Sequence, residues 1–337
     1  MDLECLSEPP IYFPLVLHII ALISFPINCF GCYLVVAKSP KNSKYKYCQL
    51  YLQIVTFIVE NYMSWIGAGY YYFPLVGGYN TSFIANSFIT THTSVVFYFF
   101  TFCFELPALL SCFQYRADAA ADLNPKKRIP RCFTYFLCIL CHSFPFVVAT
   151  SLAFADTSKE DKYRTVALYF PKCIHILSHP GFVIYDYRTN PWLVMAGLST
   201  MIWVFSFAGY FIFLVIYTIG ILQKMRKHMS AATFKLHKTA LIALTLQVVI
   251  PFSFILIPLT IIFIVVLKQL SSWQEIATDT MFLISCHSMV STIVMICCNG
   301  RYLDVVRSFF TDRLRIKHLQ LPKTTIAERT ITVIAHN

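Results

Sequence analysis

Two carboxylates stand where carboxylates are expensive. Glu60 and Glu105 lie well inside apolar stretches of the chain, and an acid in a hydrocarbon setting is rare enough to be read first as a functional group. Four histidines, His18, His92, His142 and His287, occupy similar stretches. An acid and an imidazole that meet can share a proton, orient a polar ligand or hydrogen-bond two helices together. Counted from the ends of their stretches, Glu60 and His287 share a depth of ~14 Å at ~1.5 Å per residue. A hydrogen bond between them is possible, and with His92 they form the candidate ligand pocket. The alternative is a neutral Glu60 that only serves helix packing. Glu105 and Gln247 share a depth toward the opposite end, where they can hydrogen-bond across helices and, beside Pro251, latch the inner halves together. Such bonds average below ~1 kcal/mol in membranes, which suits an element that must open.

Catalysis finds no support. There is no glycine-rich phosphate loop, no His-Glu-x-x-His and no Gly-x-Ser-x-Gly. The histidines show no metal-ligand spacing, so no catalytic residue, metal or cofactor is expected.

The elements that must position these residues are long and apolar. The 337 residues are 57% hydrophobic and only 13% charged, whereas soluble domains are about one-quarter charged. The fold class is all-α, a polytopic membrane protein with seven transmembrane helices. The spans are placed at about 11–37, 47–69, 84–115, 132–153, 192–222, 239–267 and 278–298. Residues 1–10 form a short outer N-terminus with no basic region of the kind that opens a cleaved leader. The sixth span, within His237–Leu267, is the most continuous. Pro251 and Pro258 lie seven residues apart on one of its faces and free the carbonyls of Gln247 and Phe254. This is either a kinked moving part or a plain proline-containing span.

Orientation follows from the cations. With the N-terminus out and the C-terminus in, the inner connections hold four, five and five lysines and arginines and the tail seven, against six outside, which accounts for all 27. None lies within a span. The net charge of +11 is then a topology signal with some attraction to anionic lipid, and nucleic acid is not a partner. Arg116, Lys224, Arg226 and Lys227 belong to the inner basic face.

Outside, Asn80-Thr81-Ser82 is a glycosylation sequon close to the third span. Cys5 and Cys173 are the two cysteines on that side, and a disulfide between them would tie the N-terminus to the long connection Phe154–Pro191. That connection is either a lid or a solvated loop. Inside, residues 299–337 form a tail in which Leu303, Val306, Phe310 and Leu314 recur at helical spacing among arginines. This marks an amphipathic helix over 302–319 on the membrane surface.

Several motifs now carry a resemblance. PLVLHIIALISFPINCFGCYLVVAKSPK (Pro14–Lys41), YKYCQLYLQI (Tyr45–Ile54), YYFPLVGGYN (Tyr71–Asn80), HPGFVIYDYRTN (His179–Asn190) and HKTALIALTLQVVIP (His237–Pro251) occur in an order that resembles nematode serpentine chemoreceptors. The pattern is most like class I of the Str superfamily, with class H the near neighbour, and covers roughly Pro9 to Phe310. The resemblance implies a G-protein-coupled receptor of seven helices in the plasma membrane of sensory neurons, at their cilia. Its partners would be a small extracellular ligand, a heterotrimeric G protein and the bilayer. Glu105, Gln247 and Pro251 fall at family-like positions. The sequence departs from the pattern where Cys297-Cys298-Asn299-Gly300-Arg301-Tyr302 lacks the expected proline. It also lacks the rhodopsin-type Asp-Arg-Tyr and Asn-Pro-x-x-Tyr motifs. The competing classes are a seven-span channel or transporter and a receptor fold that does not signal.

Overall fold

The computed structural model describes residues 5–6, 8–40, 43–82, 88–122, 128–179 and 181–314, without the side chains of 236 and 310–314. Six helices among them are long and apolar enough to cross a bilayer. The first span is α1 (Tyr12–Lys38). The second is α2 (Tyr45–Asn61), continued by a π-turn over Tyr62–Ile66. It is the least apolar crossing, because Gln49, Gln53, Thr56 and Glu60 run down its buried face. The third is divided into α3 (Thr91–Cys103) and α4 (Glu105–Ala121). The fourth is α5 (Arg131–Ala153), the fifth α7 (Pro191–Met225) and the sixth α8 (Ala231–Lys268), with α6 (Lys159–Tyr169) lying between the fourth and fifth. The seventh is built from α9 (Gln274–Asp279), α10 (Met281–Ser285) and α11 (His287–Cys298), and α12 (Gly300–Leu314) follows it.

Caps explain where these helices begin. Thr90 accepts from the Thr93 amide, Asn190 from those of Trp192 and Leu193, and Ser230 from that of Thr233. Each satisfies an amide that the first turn leaves orphaned. The described helix of the third span therefore starts at Thr91 and continues past 115 to Ala121, while the expected start at 84 lies outside the described residues. The sixth starts at Ala231 and takes the Lys235–Lys238 run into its first turns. Of the expected tail helix, 315–319 lie outside the described residues. Its described part buries Tyr302, whose hydroxyl lies 2.6 Å from Ser39 Oγ, and exposes Arg301, Asp304 and Arg307.

Tyr71–Asn80 belongs to the outer connection between the second and third spans. The structure forms a hairpin there, β1 (Gly69–Tyr72) with β2 (Gly77–Asn80), and β2 also pairs with β3 (Val183–Ile184). Both pairings are antiparallel, in the order β1-β2-β3. Gly78 is required in this sheet, since a Cβ there would strike the Tyr70 carbonyl and come within 3.0 Å of Tyr71 Cα. Gly78→Ala is expected to cost about 1–3 kcal/mol as an overpacked site, read as a lowered melting temperature of the purified protein.

This sheet, α6 and the 3₁₀ turn Pro171–Ser178 close one end of the bundle, called here the capped end. Beneath them Phe13, Leu17, Tyr70, Tyr72, Phe170 and Phe182 pack into one apolar cluster. Cys5 and Cys173 are joined in a disulfide, with Cα atoms 5.2 Å apart. His175 Nε2 donates to the Cys5 carbonyl at 2.9 Å, and the Tyr72 hydroxyl to that of Leu6 at 2.8 Å. The opposite, basic end carries Arg116, Lys224, Arg226 and Lys227.

The His179 ring stacks on Tyr79 with centroids 3.8 Å apart, and its Nδ1 accepts from the Gly181 amide at 3.3 Å. Burial holds its pKa below the ordinary imidazole value. The folded cap thus binds fewer protons than the unfolded chain below about pH 6.5. Stability falls as pH drops through that value toward the folded pKa. The melting temperature is expected to decline from about pH 7 to about pH 5, with His179→Gln flattening the decline.

Candidate functional site

Three spans change character at the same level, and each change falls beside an ionisable residue. Pro107 has no amide to offer the Cys103 carbonyl and crowds it sterically. The third span accordingly breaks at Phe104, whose amide turns back to Thr101 at 3.1 Å, and Glu105 opens the next helix. An acid in a first turn is favoured by the helix dipole. In the second span, α2 gives way to the π-turn just after Glu60. In the seventh, Ser285 Oγ donates back to Met281 O at 3.0 Å and Thr280 Oγ1 to Ala277 O at 2.7 Å. Such side-chain competition bends helices, and the break at Cys286 places His287 at the start of α11.

His287 is 2% exposed and spans the bundle. Its Nδ1 lies 2.6 Å from the Ile284 carbonyl and its Nε2 lies 2.8 Å from Glu105 Oε1. A carbonyl only accepts, so Nδ1 carries a hydrogen. Nε2 and Glu105 then share one further proton, as imidazolium with carboxylate or imidazole with carboxylic acid. Either way the pair is neutral overall and welds the third span to the seventh.

Glu60 is fully buried and meets different partners. Its Oε2 accepts from the Met289 amide at 2.7 Å and from Asn28 Nδ2 at 3.3 Å. The first of these is a free amide at the N-terminus of α11, so the carboxylate caps a neighbouring helix and faces its positive pole. Glu60 Oε1 is buried with no hydrogen-bond partner among the described residues. Asn28 extends the network: its Oδ1 accepts from Gln53 Nε2 at 3.2 Å, Ser288 Oγ at 3.2 Å and Thr292 Oγ1 at 2.5 Å. Gln53 Nε2 and Thr292 Oγ1 also touch. One turn below Asn28, Gly31 lets α1 close on α11, since a Cβ would meet Thr292 Cγ2 at 2.5 Å.

Neither expected pairing forms. His287 bonds Glu105 and not Glu60, and Glu105 does not bond Gln247. The reason is span length. Glu105 is mid-span, ~21 Å from Thr91, whereas Gln247 is ~32 Å from Lys268 at the same capped end. Gln247 thus lies about one-third of a bilayer deeper. Its Nε2 is buried without a hydrogen-bond partner among the described residues. Pro251 and Pro258 both lie within the single helix α8, Ala231–Lys268.

His92 stands apart from this seam, thirteen residues or ~20 Å above Glu105. Its ring bonds the Tyr185 hydroxyl at 2.9 Å and the Ala153 carbonyl at 3.4 Å, joining the cap to the third and fourth spans. Asn80 is 1% exposed within β2, so the folded cap has no room for a glycan on its amide. Arg116 lies over the Tyr45 ring at 3.8 Å. Lys224 lies in the last turn of α7, and Arg226 and Lys227 belong to the 3₁₀ turn Arg226–His228 after it.

The uncharged members of the seam, Asn28, Gln53, Ser288 and Thr292, escaped the sequence reading, which followed ionisable groups. Spacing could have found them. Gln49, Gln53, Thr56 and Glu60 repeat at helical intervals as a polar stripe on one face, as do Ser288 and Thr292.

Comparison with known proteins bears on this arrangement. Residues 3–306 match the family described as serpentine type 7TM GPCR chemoreceptor Sri. No curated protein matches the chain. Among solved structures, the crystal structure of squid rhodopsin superposes with a TM-score of 0.58 at 10% identity, over 93% of this chain and 84% of that one. At that identity the likeness is one of fold.

Proposed function

From the premise that this chain belongs to the Sri family of serpentine seven-transmembrane GPCR chemoreceptors, we propose a plasma-membrane receptor in which a small extracellular chemical acts on the Glu105–His287 pair. The finer placement in the Str superfamily, most like class I, rests on the order of the motifs from Pro14 to Pro251. That likeness also suggests sensory-neuron cilia as its residence. The cap faces outward and the basic end faces the cytoplasm, a reading supported by the excess of lysine and arginine on that side.

The carrying observation is one neutral, proton-sharing pair between the third and seventh spans, roofed by the cap. A ligand that competes for either partner changes the distance between those spans. The basic end then presents Arg116, Lys224, Arg226 and Lys227 to a heterotrimeric G protein. Binding and a two-state shift suffice, and no catalytic residue or cofactor takes part.

Tags at both ends of the chain, probed by antibody on intact cells, test the orientation. A panel of small chemicals with a G-protein readout, run on wild type, Glu105→Gln and His287→Asn at matched surface level, tests the site. The N-terminal tag should be reached and the C-terminal tag not. Both variants should change basal signalling or shift the half-maximal concentration by about tenfold, the effect of one hydrogen bond to a charged group. An exposed C-terminus, or variants that respond like wild type, would sink the proposal.

A further inference from the structure

The fifth and sixth spans are longer than a bilayer requires. At 35 and 38 residues they measure ~52 and ~57 Å, against ~30 Å of hydrocarbon. At their basic ends they part around a groove of about 480 Å³. It begins at Ile219, ~42 Å along α7 from Pro191, so it opens at or past the level where lipid headgroups lie.

The groove has a sorted lining. Leu222 and Leu241 form its buried floor, Ile219, Ile242 and Phe234 its apolar walls, and Arg226 and Lys238 its rim. Arg226 lies over the Phe234 ring at 5.5 Å. Neither rim cation has a carboxylate within ion-pair distance among the described residues. The apolar wall also continues along the bilayer face. Ile212, Ile216 and Ile219 are 54%, 65% and 39% exposed and mark the outer side of α7. Leu246 and Val249 of α8 are likewise exposed. The groove thus opens toward lipid.

We propose that this crevice is a binding site for one acidic phospholipid. Its phosphate-bearing headgroup pairs with Arg226 and Lys238, and an acyl chain lies along Ile219, Ile216 and Ile212. Charge complementarity selects the headgroup, and continuity with the lipid-facing row selects a lipid over a soluble partner's peptide. The occupant sits between the two longest spans and holds them apart at their basic ends.

The full-length receptor would be reconstituted in nanodiscs of equimolar phosphatidylcholine and phosphatidylserine, extracted gently, and its retained lipids read by native mass spectrometry. Both leaflets then carry the same lipids, so the outcome is independent of topology, ligand and G protein. Wild type should retain phosphatidylserine over phosphatidylcholine. Arg226→Gln with Lys238→Gln should lower that retention at least about fivefold, the effect of one surface cation near anionic lipid. Lys224→Gln with Lys227→Gln, neighbours outside the groove, should leave it unchanged. Ile219→Trp, which fills the wall and keeps every charge, should also lower it. Melting temperatures close to wild type confirm folding of each variant. Equal retention of both lipids by wild type overturns the site. So does equal loss in the two charge-pair variants, which would mean diffuse attraction. Unchanged lipid retention with impaired G-protein coupling in the rim variant would assign the rim to a protein partner and overturn it as well.

Discussion

Glu105→Leu should destabilise the receptor by about 3 kcal/mol, at the lower end of the range for breaking a buried ion pair. Interhelical hydrogen bonds in membranes are usually weak, below about 1 kcal/mol, so a larger effect needs a reason. The reason is His287. Its Nδ1 is committed to the Ile284 carbonyl and the ring is 2% exposed. It cannot turn to water when Glu105 is lost, and Nε2 is stranded in an apolar interior. His287→Leu strands Glu105 in the same way, while the double substitution strands neither. The double variant should therefore lose clearly less than the two single losses together, with a coupling above about 1 kcal/mol. Thermal melting in one detergent decides this, and strictly additive losses would show that the pair contributes nothing.

The second large effect belongs to the cap. Reduction of the Cys5–Cys173 bridge, or Cys5→Ser, should cost about 2 kcal/mol. The two cysteines are 168 residues apart, and a freely coiled loop of that length would give ~5 kcal/mol of chain entropy. A membrane chain does not unfold to a free coil, because its spans stay threaded and keep the ends near one surface. The gain is correspondingly smaller. The bonds from His175 to Cys5 and from Tyr72 to Leu6 also remain to hold the strap. Wild type should melt lower with reductant, Cys5→Ser should be indifferent to it, and a reductant-insensitive wild type would mean the strap is held without the bridge.

The spans were legible because apolar length and cation placement are local and one-dimensional. Glu60, Glu105 and His287 were legible because ionisable groups in lipid are few. Their pairing was not. It depends on helix ends, and the third span's ends are set by Thr90 and by a chain that stays helical through Ala121, while apolar counting stopped at Tyr115. An error of six residues at one end moves a side chain by ~9 Å, enough to exchange Gln247 for His287 as a partner. The break at Phe104 had a visible cause in Pro107, two residues past Glu105. The hairpin was hidden because its paired strands carry Gly69, Gly77 and Gly78, a residue type depleted in strands, and its third strand reaches Gly77 and Gly78 from Val183 and Ile184, about a hundred residues on.

The discontinuities beside Glu60, Glu105 and His287 divide the seven spans into two mechanical kinds. The first, fourth, fifth and sixth are columns, each one helix from face to face. The second, third and seventh are jointed posts whose joints meet in one layer and are stitched there by the polar network. A load on the roof is passed rigidly by the columns and flexed by the posts. The receptor thus has an equator at which its outer storey can turn on its inner one, and the proton shared by Glu105 and His287 is the pin through that joint.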